Sequence, residues 1–146
     1  MSNKEIAQQW FEDVWNHREA AAIDRQRTDD MLSRGFRAQS PATGGGAGCP
    51  AFYRAFMNGF PDLHITIEDV VEEGDRVAVR WRATGTLTGE GFGVPPTGKR
   101  MDTGGQTILH LHNGRIAEAW NNFDFFGMHR QLGTLSSVAS GGLTLG

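Results

Sequence analysis

The chain has 146 residues and a net charge of −3, which suits one domain with its own apolar core and gives no electrostatic support for binding nucleic acid. No stretch is long and apolar enough to cross a membrane, the first residues lack the apolar segment of a secretory signal, and the single cysteine, Cys49, excludes an intrachain disulfide. We therefore expect a cytoplasmic protein that contacts neither nucleic acid nor membrane, and no group of Cys and His residues has the spacing of a metal site.

The chain begins with a predicted amphipathic helix. Ser2 and Glu5 have the spacing of a capping box, in which each side chain accepts a hydrogen bond from the backbone N–H of the other residue. Ile6, Trp10 and Val14 then recur at helical spacing. This pattern predicts that one face of the helix packs against the core.

Two more helices are predicted before residue 61. The second covers about residues 18–32, although its many charged residues leave only a narrow apolar face. The glycine-rich run 44–48 is predicted to be a loop, and Pro50 suits the first turn of a third helix that Pro61 ends.

From Leu63 onward the apolar period changes from helical spacing to two, which predicts strands. The predicted strands cover residues 64–72, 76–86, 100–112 and 115–123, and a short helix covers 125–132. Helices followed by antiparallel strands indicate an α+β fold, in which a curved and mainly antiparallel sheet wraps around the N-terminal helices. We assign residues 1–133 to this single domain and expect 134–146 to be a flexible tail.

Asn113-Gly114 is a strong signal for a two-residue hairpin turn, because both residue types tolerate positive φ. Strict alternation from this turn pairs Thr107 with Trp120 and Leu109 with Glu118. These residues share the more apolar face, which is expected to point inward. The opposite face carries Ile108, Ala117 and Ala119, which predicts a homodimer interface.

Residues 101–133, MDTGGQTILHLHNGRIAEAWNNFDFFGMHRQLG, resemble the SnoaL-like polyketide cyclases in the NGRI turn, the Trp that follows it and the final QLG. Residues 60–100 fit the same pattern. The resemblance implies an α+β cone, shared with ketosteroid isomerase and scytalone dehydratase, that encloses an apolar pocket. It also implies a small-molecule ligand, the intramolecular aldol closure of a polyketide ester, and no cofactor or metal.

The resemblance places the family's paired catalytic His and Asp at Thr107 and Asn121. A carboxamide cannot accept and return a proton as a carboxylate does. Strict alternation also puts the two residues on opposite faces, so we predict a one-residue bulge near Trp120 that turns Asn121 inward. Without that bulge Trp120, Asn122 and Asp124 would face inward.

Three residues are candidates for catalysis: Asp124, Asn121 and Glu118. Asp124 stands among phenylalanines that could raise its pKa toward neutrality, but it equally suits the N-cap of the last helix. Glu118 could reach the pocket or form a salt bridge at its rim. Asn121, and less readily Asn122, could donate a hydrogen bond to a carbonyl or enolate oxygen, or could satisfy a bulged backbone.

The predicted ligand contacts are mostly aromatic. They are Thr107, Trp120, Asn122, Phe52, Phe56, Phe60, Trp15, Trp81 and Phe92. Three functions remain open at this point: a polyketide cyclase or close relative, a small-molecule-binding protein without catalysis, and a hydroxylase-type accessory protein. The replacement at Asn121 keeps the last two in consideration.

Overall fold

In the residues that the structure describes, a five-stranded sheet packs with four α-helices. The computed structural model describes residues 1–34, 48–91 and 93–135, with the backbone alone at 34 and 48–52. The helices are α1 (Asn3–Phe11), α2 (Ala20–Gln26), α3 (Gly48–Gly59) and α4 (Phe125–Leu132), and a π-helical turn covers Glu12–Asn16. The strands are β1 (Arg27–Arg34), β2 (His64–Glu73), β3 (Arg76–Thr86), β4 (Arg100–His112) and β5 (Arg115–Phe123).

The sheet has the order β1-β5-β4-β3-β2. Strands β2 to β5 form an antiparallel meander, and β1 joins its edge parallel to β5. One face of the sheet packs against the helices and the other is exposed, so inward and outward residues alternate along β3 and β4. The predicted α+β class with a curved, mainly antiparallel sheet is confirmed.

The first helix begins as the sequence predicts. The Ser2 side chain accepts from the backbone N–H of Glu5, and the Glu5 side chain accepts from the backbone N–H of Ser2. Trp10, Phe11 and Val14 are buried along the inner side of this segment. The capping box therefore fixes where the helix starts, and the apolar stripe fixes which face it turns to the sheet.

The helix predicted over 18–32 is wrong beyond Gln26. From Arg27 the chain forms β1, in which Met31 and Ser33 are buried while Asp30 and Leu32 are exposed. A helix here would have had too little apolar surface to bury. As a strand, the same residues satisfy their backbone groups on the free edge of β5 and turn Met31 into the core.

The later elements follow the prediction closely. Strands β3, β4 and β5 and helix α4 have the predicted bounds, β2 is one residue longer, and α3 begins two residues before Pro50. Asn113 and Gly114 have φ of 49° and 77°, which confirms the two-residue turn. The glycine-rich run lies outside the described residues apart from Gly48.

The bulge in the hairpin lies at Ala117, three residues before the predicted place near Trp120. Pairing shifts between Leu111, opposite Ile116, and His110, opposite Glu118. Every later residue of β5 is consequently displaced by one position. The faces predicted from strict alternation are therefore wrong for β5 beyond Ala117.

At the end of the described chain, Thr134 is buried and bonded to His129, so the packed domain extends at least one residue beyond the predicted boundary at 133. The rest of the predicted tail lies almost entirely outside the described residues and stays a prediction. No helix in the described part of the chain is long and apolar enough to span a membrane.

Candidate functional site

A cavity lies between the inner face of the sheet and the first and third helices. Its volume is about 50 Å³. Its lining is Trp10, Phe11, Trp15, Met31, Ser33, Phe56, Leu63, Ile65, Trp81, Ala83, Thr107, Leu109, Ala119, Asn121 and Phe123. Ligand pockets commonly measure about 300–1,000 Å³. A multi-ring ligand can therefore enter only if the surrounding side chains open the cavity.

Aromatic rings in mutual contact form part of the cavity wall. Trp15 contacts Phe56 edge to face, with ring centroids 6.1 Å apart, and Phe56 contacts Phe123 in the same way at 6.0 Å. Phe123 in turn stacks on Trp81 at 5.4 Å. This continuous aromatic wall favours an apolar and unsaturated ligand over a sugar-like or charged one.

The bulge brings together Thr107 and Asn121, the two positions at which the resemblance predicts a catalytic pair. Asn121 lies directly opposite Thr107 in the sheet register, and both side chains are buried and line the cavity. The predicted inward turn of Asn121 is therefore present, produced by a bulge at Ala117. Had the bulge been absent, Asn121 would have faced the outer surface.

Four side chains from four strands form a buried chain of hydrogen bonds in the cavity. The Trp81 indole Nε1 donates to Thr107 Oγ1 at 2.9 Å, and Thr107 Oγ1 donates to Asn121 Oδ1 at 2.9 Å. Asn121 Nδ2 donates to Ser33 Oγ at 3.2 Å. All three bonds run in the same direction across the sheet, from β3 through β4 and β5 to β1.

This network is polar but carries no charge. None of the described residues that line the cavity has an ionisable side chain. The site therefore offers a ligand hydroxyl and amide groups, and its described lining supplies no carboxylate or imidazole to take a proton.

Asp124 and Glu118, the two candidate carboxylates, do not line the cavity. Asp124 is the N-cap of α4, where its Oδ1 accepts from the backbone N–H of Gly127 at 2.8 Å. Glu118 lies opposite His110 on the outer face, because the bulge at Ala117 reverses its direction. The predicted place of Glu118 on the inner apolar face is wrong.

Trp120 and Asn122 also point away from the cavity. Trp120 is 43% exposed, and Asn122 is exposed on the same outer face. The expectation that Trp120 lines an inner pocket is wrong for the same reason as for Glu118. Ala119, predicted to be outside, is buried and lines the cavity instead.

Of the other predicted ligand contacts, Trp15, Phe56, Trp81 and Thr107 line the cavity. Phe60 is fully buried in the core but is not part of the lining. The side chain of Phe52 and the whole of Phe92 lie outside the described residues. The binding roles of all these residues stay predictions.

Ser33 is the polar residue of the described cavity lining that the sequence interpretation missed. It lies in the segment that was predicted to be helical, where no inward direction could be assigned to it. Burial alternates from Asp30 to Ser33 but residue type does not, since the apolar Leu32 is exposed and the polar Ser33 is buried, so the local sequence carries no signal that would have turned Ser33 inward.

A second, more open groove lies at the end of β4 and β5, with a volume of about 600 Å³. Trp81 and Phe123 line both this groove and the inner cavity, so their stacked rings separate the two. The rest of the groove lining is largely polar: Glu68, Arg80, Gly104, Gly105, Gln106, Asn122 and Asp124. Asp124 thus belongs to the outer groove.

A family model described as SnoaL-like polyketide cyclase matches residues 5–132. A solved structure from Jannaschia sp. CCS1, assigned as a SnoaL-like polyketide cyclase, is 27% identical with a TM-score of 0.78, and the match covers 89% of this chain and 90% of that one. IdmH from Streptomyces antibioticus, assigned as a polyketide cyclase, is 27% identical with a TM-score of 0.76, covering 91% and 99%.

AclR from Streptomyces galilaeus, assigned as a hydroxylase, is also similar, at 25% identity and a TM-score of 0.77 over 90% of this chain and 96% of that one. A comparison with functionally curated proteins gives no significant match. The similar structures therefore carry more than one assigned activity on the same fold, and the residues of the site must distinguish between them.

Proposed function

Because the chain belongs to the SnoaL-like polyketide cyclase family, we propose that its cavity binds a small polyketide-like molecule and promotes cofactor-free ring closure by orienting it and by hydrogen bonding to it. The observation that carries this proposal is the inward position of Asn121, opposite Thr107, in the aromatic-walled cavity. The amide occupies the position of the family's acid/base carboxylate, so the proposed site keeps the shape for the reaction without its usual base.

The proposed reaction is an intramolecular aldol closure. A proton leaves the carbon between two carbonyl groups, the resulting enolate carbon forms a bond to a ketone carbon, and the new alkoxide oxygen takes up a proton. The conjugated substrate itself carries the enolate charge, so no metal or cofactor is required. In this chain water takes the first proton, because Asn121 has no basic atom to do so.

Orientation is the main contribution that this site can make. Holding two reacting groups of one molecule together lowers the entropic part of the barrier, and hydrogen-bond donors stabilise the developing oxyanion. A general base typically adds about 10²–10⁴-fold to such a rate. We therefore expect a slow cyclase compared with members that carry the carboxylate.

A second candidate function is ligand binding without catalysis. It is favoured by the neutral lining of the cavity in the described part of the chain. An accessory role in polyketide hydroxylation is a further form of this candidate, suggested by the similarity to AclR. A binding protein and an accessory protein would both use the same cavity, and they would differ from a cyclase only in not converting the ligand to a ring-closed product.

Tryptophan fluorescence tests binding directly, because Trp10, Trp15 and Trp81 line the cavity while Trp120, the fourth tryptophan of the chain, lies on the outer face. We expect saturable quenching by an aromatic polyketide ester, unchanged in Trp120→Phe. Lack of binding at about 1 mM, equivalent to about −4 kcal/mol, would overturn the proposal of a ligand site.

The reaction itself is tested with the same ester, by following the ring-closed product by chromatography. Closure faster than in buffer alone, and unaffected by Asp124→Asn, supports a cyclase that works without a base. Binding without any acceleration supports the non-catalytic candidate. Loss of closure in a folded Asp124→Asn variant would instead make Asp124 the base and contradict the role given to Asn121.

We also propose that the protein forms a homodimer through the outer face of the sheet. Val71, Ala78, Ile108 and Trp120 are cross-strand neighbours in one row over β2, β3, β4 and β5, and all four are exposed. Such a continuous apolar row is suited to a second copy of the same sheet. In sedimentation equilibrium, Ile108→Lys should yield monomers, whereas His64→Lys at the far end of β2 should leave the dimer intact.

A further inference from the structure

We infer that the Ser33 hydroxyl is the hydrogen-bond donor that recognises a carbonyl oxygen of the ligand, so that the cavity selects ketone- or ester-bearing apolar molecules. The inference rests on the proposed function, because it assumes that the cavity binds a small molecule. It adds the residue that makes the polar contact and the chemical group that this residue requires.

Trp81 sets the direction of the first hydrogen bond in the chain. An indole nitrogen can only donate a hydrogen bond, so Thr107 Oγ1, 2.9 Å away, must accept from it. Thr107 then has one hydroxyl hydrogen left, which it donates to Asn121 Oδ1 at 2.9 Å. The donor-only indole therefore fixes Thr107 as the acceptor of the first bond, and the remaining Thr107 hydrogen points to the Asn121 oxygen.

The contacts of Asn121 orient its amide group. With Oδ1 of Asn121 facing the Thr107 hydroxyl, Nδ2 faces Ser33 Oγ at 3.2 Å and donates to it. Ser33 is thus held as an acceptor by Asn121. Its own hydroxyl hydrogen is not used in that bond, and no described residue accepts it.

Ser33 is 6% exposed and lines the cavity, so its hydroxyl donor is buried beside the space that a ligand would fill. A buried donor without an acceptor is unfavourable, and a ligand oxygen would satisfy it. Successive bonds in the same direction also polarise one another, which strengthens the last donor in the chain. The surrounding lining is mostly apolar, so the rest of the ligand should be apolar as well.

A pair of ligands with the same shape tests this contact. Acetophenone and α-methylstyrene differ only in having C=O or C=CH₂ at one position, and both are small enough to probe a narrow cavity. We expect the wild-type protein to bind acetophenone about fivefold to tenfold more tightly, as one hydrogen bond supplies. Chemical-shift titration of the ¹⁵N-labelled protein measures both dissociation constants.

Ser33→Ala should abolish the preference by weakening acetophenone binding alone, and Ser33→Thr, which keeps the hydroxyl, should restore it. The carbonyl stretching frequency of ¹³C-labelled acetophenone should be lower when bound to wild type than when bound to Ser33→Ala. Thermal unfolding of each variant shows that the fold is retained.

Thr107→Val tests the direction of the chain without changing Ser33. Loss of the Thr107 hydroxyl removes the donor to Asn121 Oδ1, which favours an amide orientation in which this oxygen accepts from Ser33. We therefore expect this variant to lose the preference for the ketone as well.

The outcomes separate this inference from the proposed function. Equal binding of the two compounds to wild type, or a preference that survives in Ser33→Ala, overturns the role of Ser33 and leaves the binding cavity in place. Saturable binding of neither compound overturns both.

Discussion

The two faces of the β4–β5 hairpin differ in the kind of polar group that they carry. On the inner face, Thr107 and Asn121 are buried and belong to an uncharged hydrogen-bonded chain. On the outer face, His110 bonds to Asp75 at 2.8 Å, and Arg82 pairs with Asp102, both in exposed positions. Carboxylate and guanidinium groups remain where water solvates them, because burying a charge without a partner costs far more than burying a hydrogen-bonded amide.

Asn121 and Asn122 show this difference at adjacent positions. The first is 7% exposed and bonded inside the cavity, and the second is exposed at the outer groove. The same residue type is therefore a component of the candidate site at one position and a surface residue at the next. A charge introduced at each position should have very different consequences.

The largest expected effect comes from Asn121→Asp compared with Asn122→Asp. The hydroxyls of Thr107 and Ser33 lie on either side of Asn121 and can both donate to the new carboxylate, which would hold it in place. We expect Asn121→Asp to raise the rate of polyketide ester closure by about 10²–10⁴-fold, the usual contribution of a general base. Single-turnover assays of product formation measure the change.

Asn122→Asp introduces the same charge one residue away and should leave the rate unchanged. A comparable gain in both variants would show that a general electrostatic effect, and not the position in the cavity, is responsible. No gain in Asn121→Asp, with the fold retained, would indicate that this position does not face the reacting carbon.

A second pair of variants, Gly105→Ala and Gly104→Ala, compares the two faces of β4 by changing packing instead of charge. A Cβ at Gly105 would lie 2.5 Å from the Trp81 ring, whereas a Cβ at Gly104 would meet only the Trp81 carbonyl oxygen, at 3.5 Å. We expect Gly105→Ala to destabilise the fold by about 1–3 kcal/mol, as overpacking usually does. Urea unfolding should show little change for Gly104→Ala.

The displaced Trp81 ring should also lose its hydrogen bond to Thr107, so Gly105→Ala should weaken ligand binding as well as stability. If the two alanine variants were equally stable, the close contact of Trp81 with β4 would not be a tight constraint in solution.

The smallest expected effect concerns pH and the buried His129. Burial lowers the pKa of this imidazole below its usual value near 6.5, because the charged form loses its hydration. The unfolded chain therefore binds the proton more readily than the folded one. Stability should be constant above about pH 6.5 and should decrease as the pH falls from there toward the lower folded-state pKa.

His129→Asn keeps a polar atom near Nδ1, which lies 2.6 Å from Thr134 Oγ1, but cannot titrate. The fall in unfolding free energy just below pH 6.5 should be weaker in this variant, as measured by urea unfolding at several pH values. An identical pH profile in His129→Asn would contradict the assignment to His129.

On the outer face, the hydrogen bond from His110 lowers the pKa of Asp75. The stability that this pair contributes is therefore present above the usual carboxyl pKa and is lost in more acidic solution.

Local sequence determined most of the C-terminal half. The bounds of β3, β4, β5 and α4 could be predicted because apolar residues recur at every second position along much of β3 and β4, and because Asn113-Gly114 permits the positive φ that its turn requires. The family resemblance in the same region gave the fold class, since its motifs lie on these locally determined elements. The resemblance also pointed to Thr107 and Asn121 as a pair, although strict alternation placed their side chains on opposite faces.

Tertiary structure alone decided three features of the candidate site. Strand β1 forms because its backbone pairs with the free edge of β5. The sequence of residues 27–34, which is rich in charged residues, does not by itself indicate a strand. The bulge sits at Ala117 because this shift buries both Ile116 and Ala119, which strict alternation places on opposite faces. The hydrogen-bonded chain to Ser33 forms only where four strands meet in space, with the donor-only indole of Trp81 at its first position.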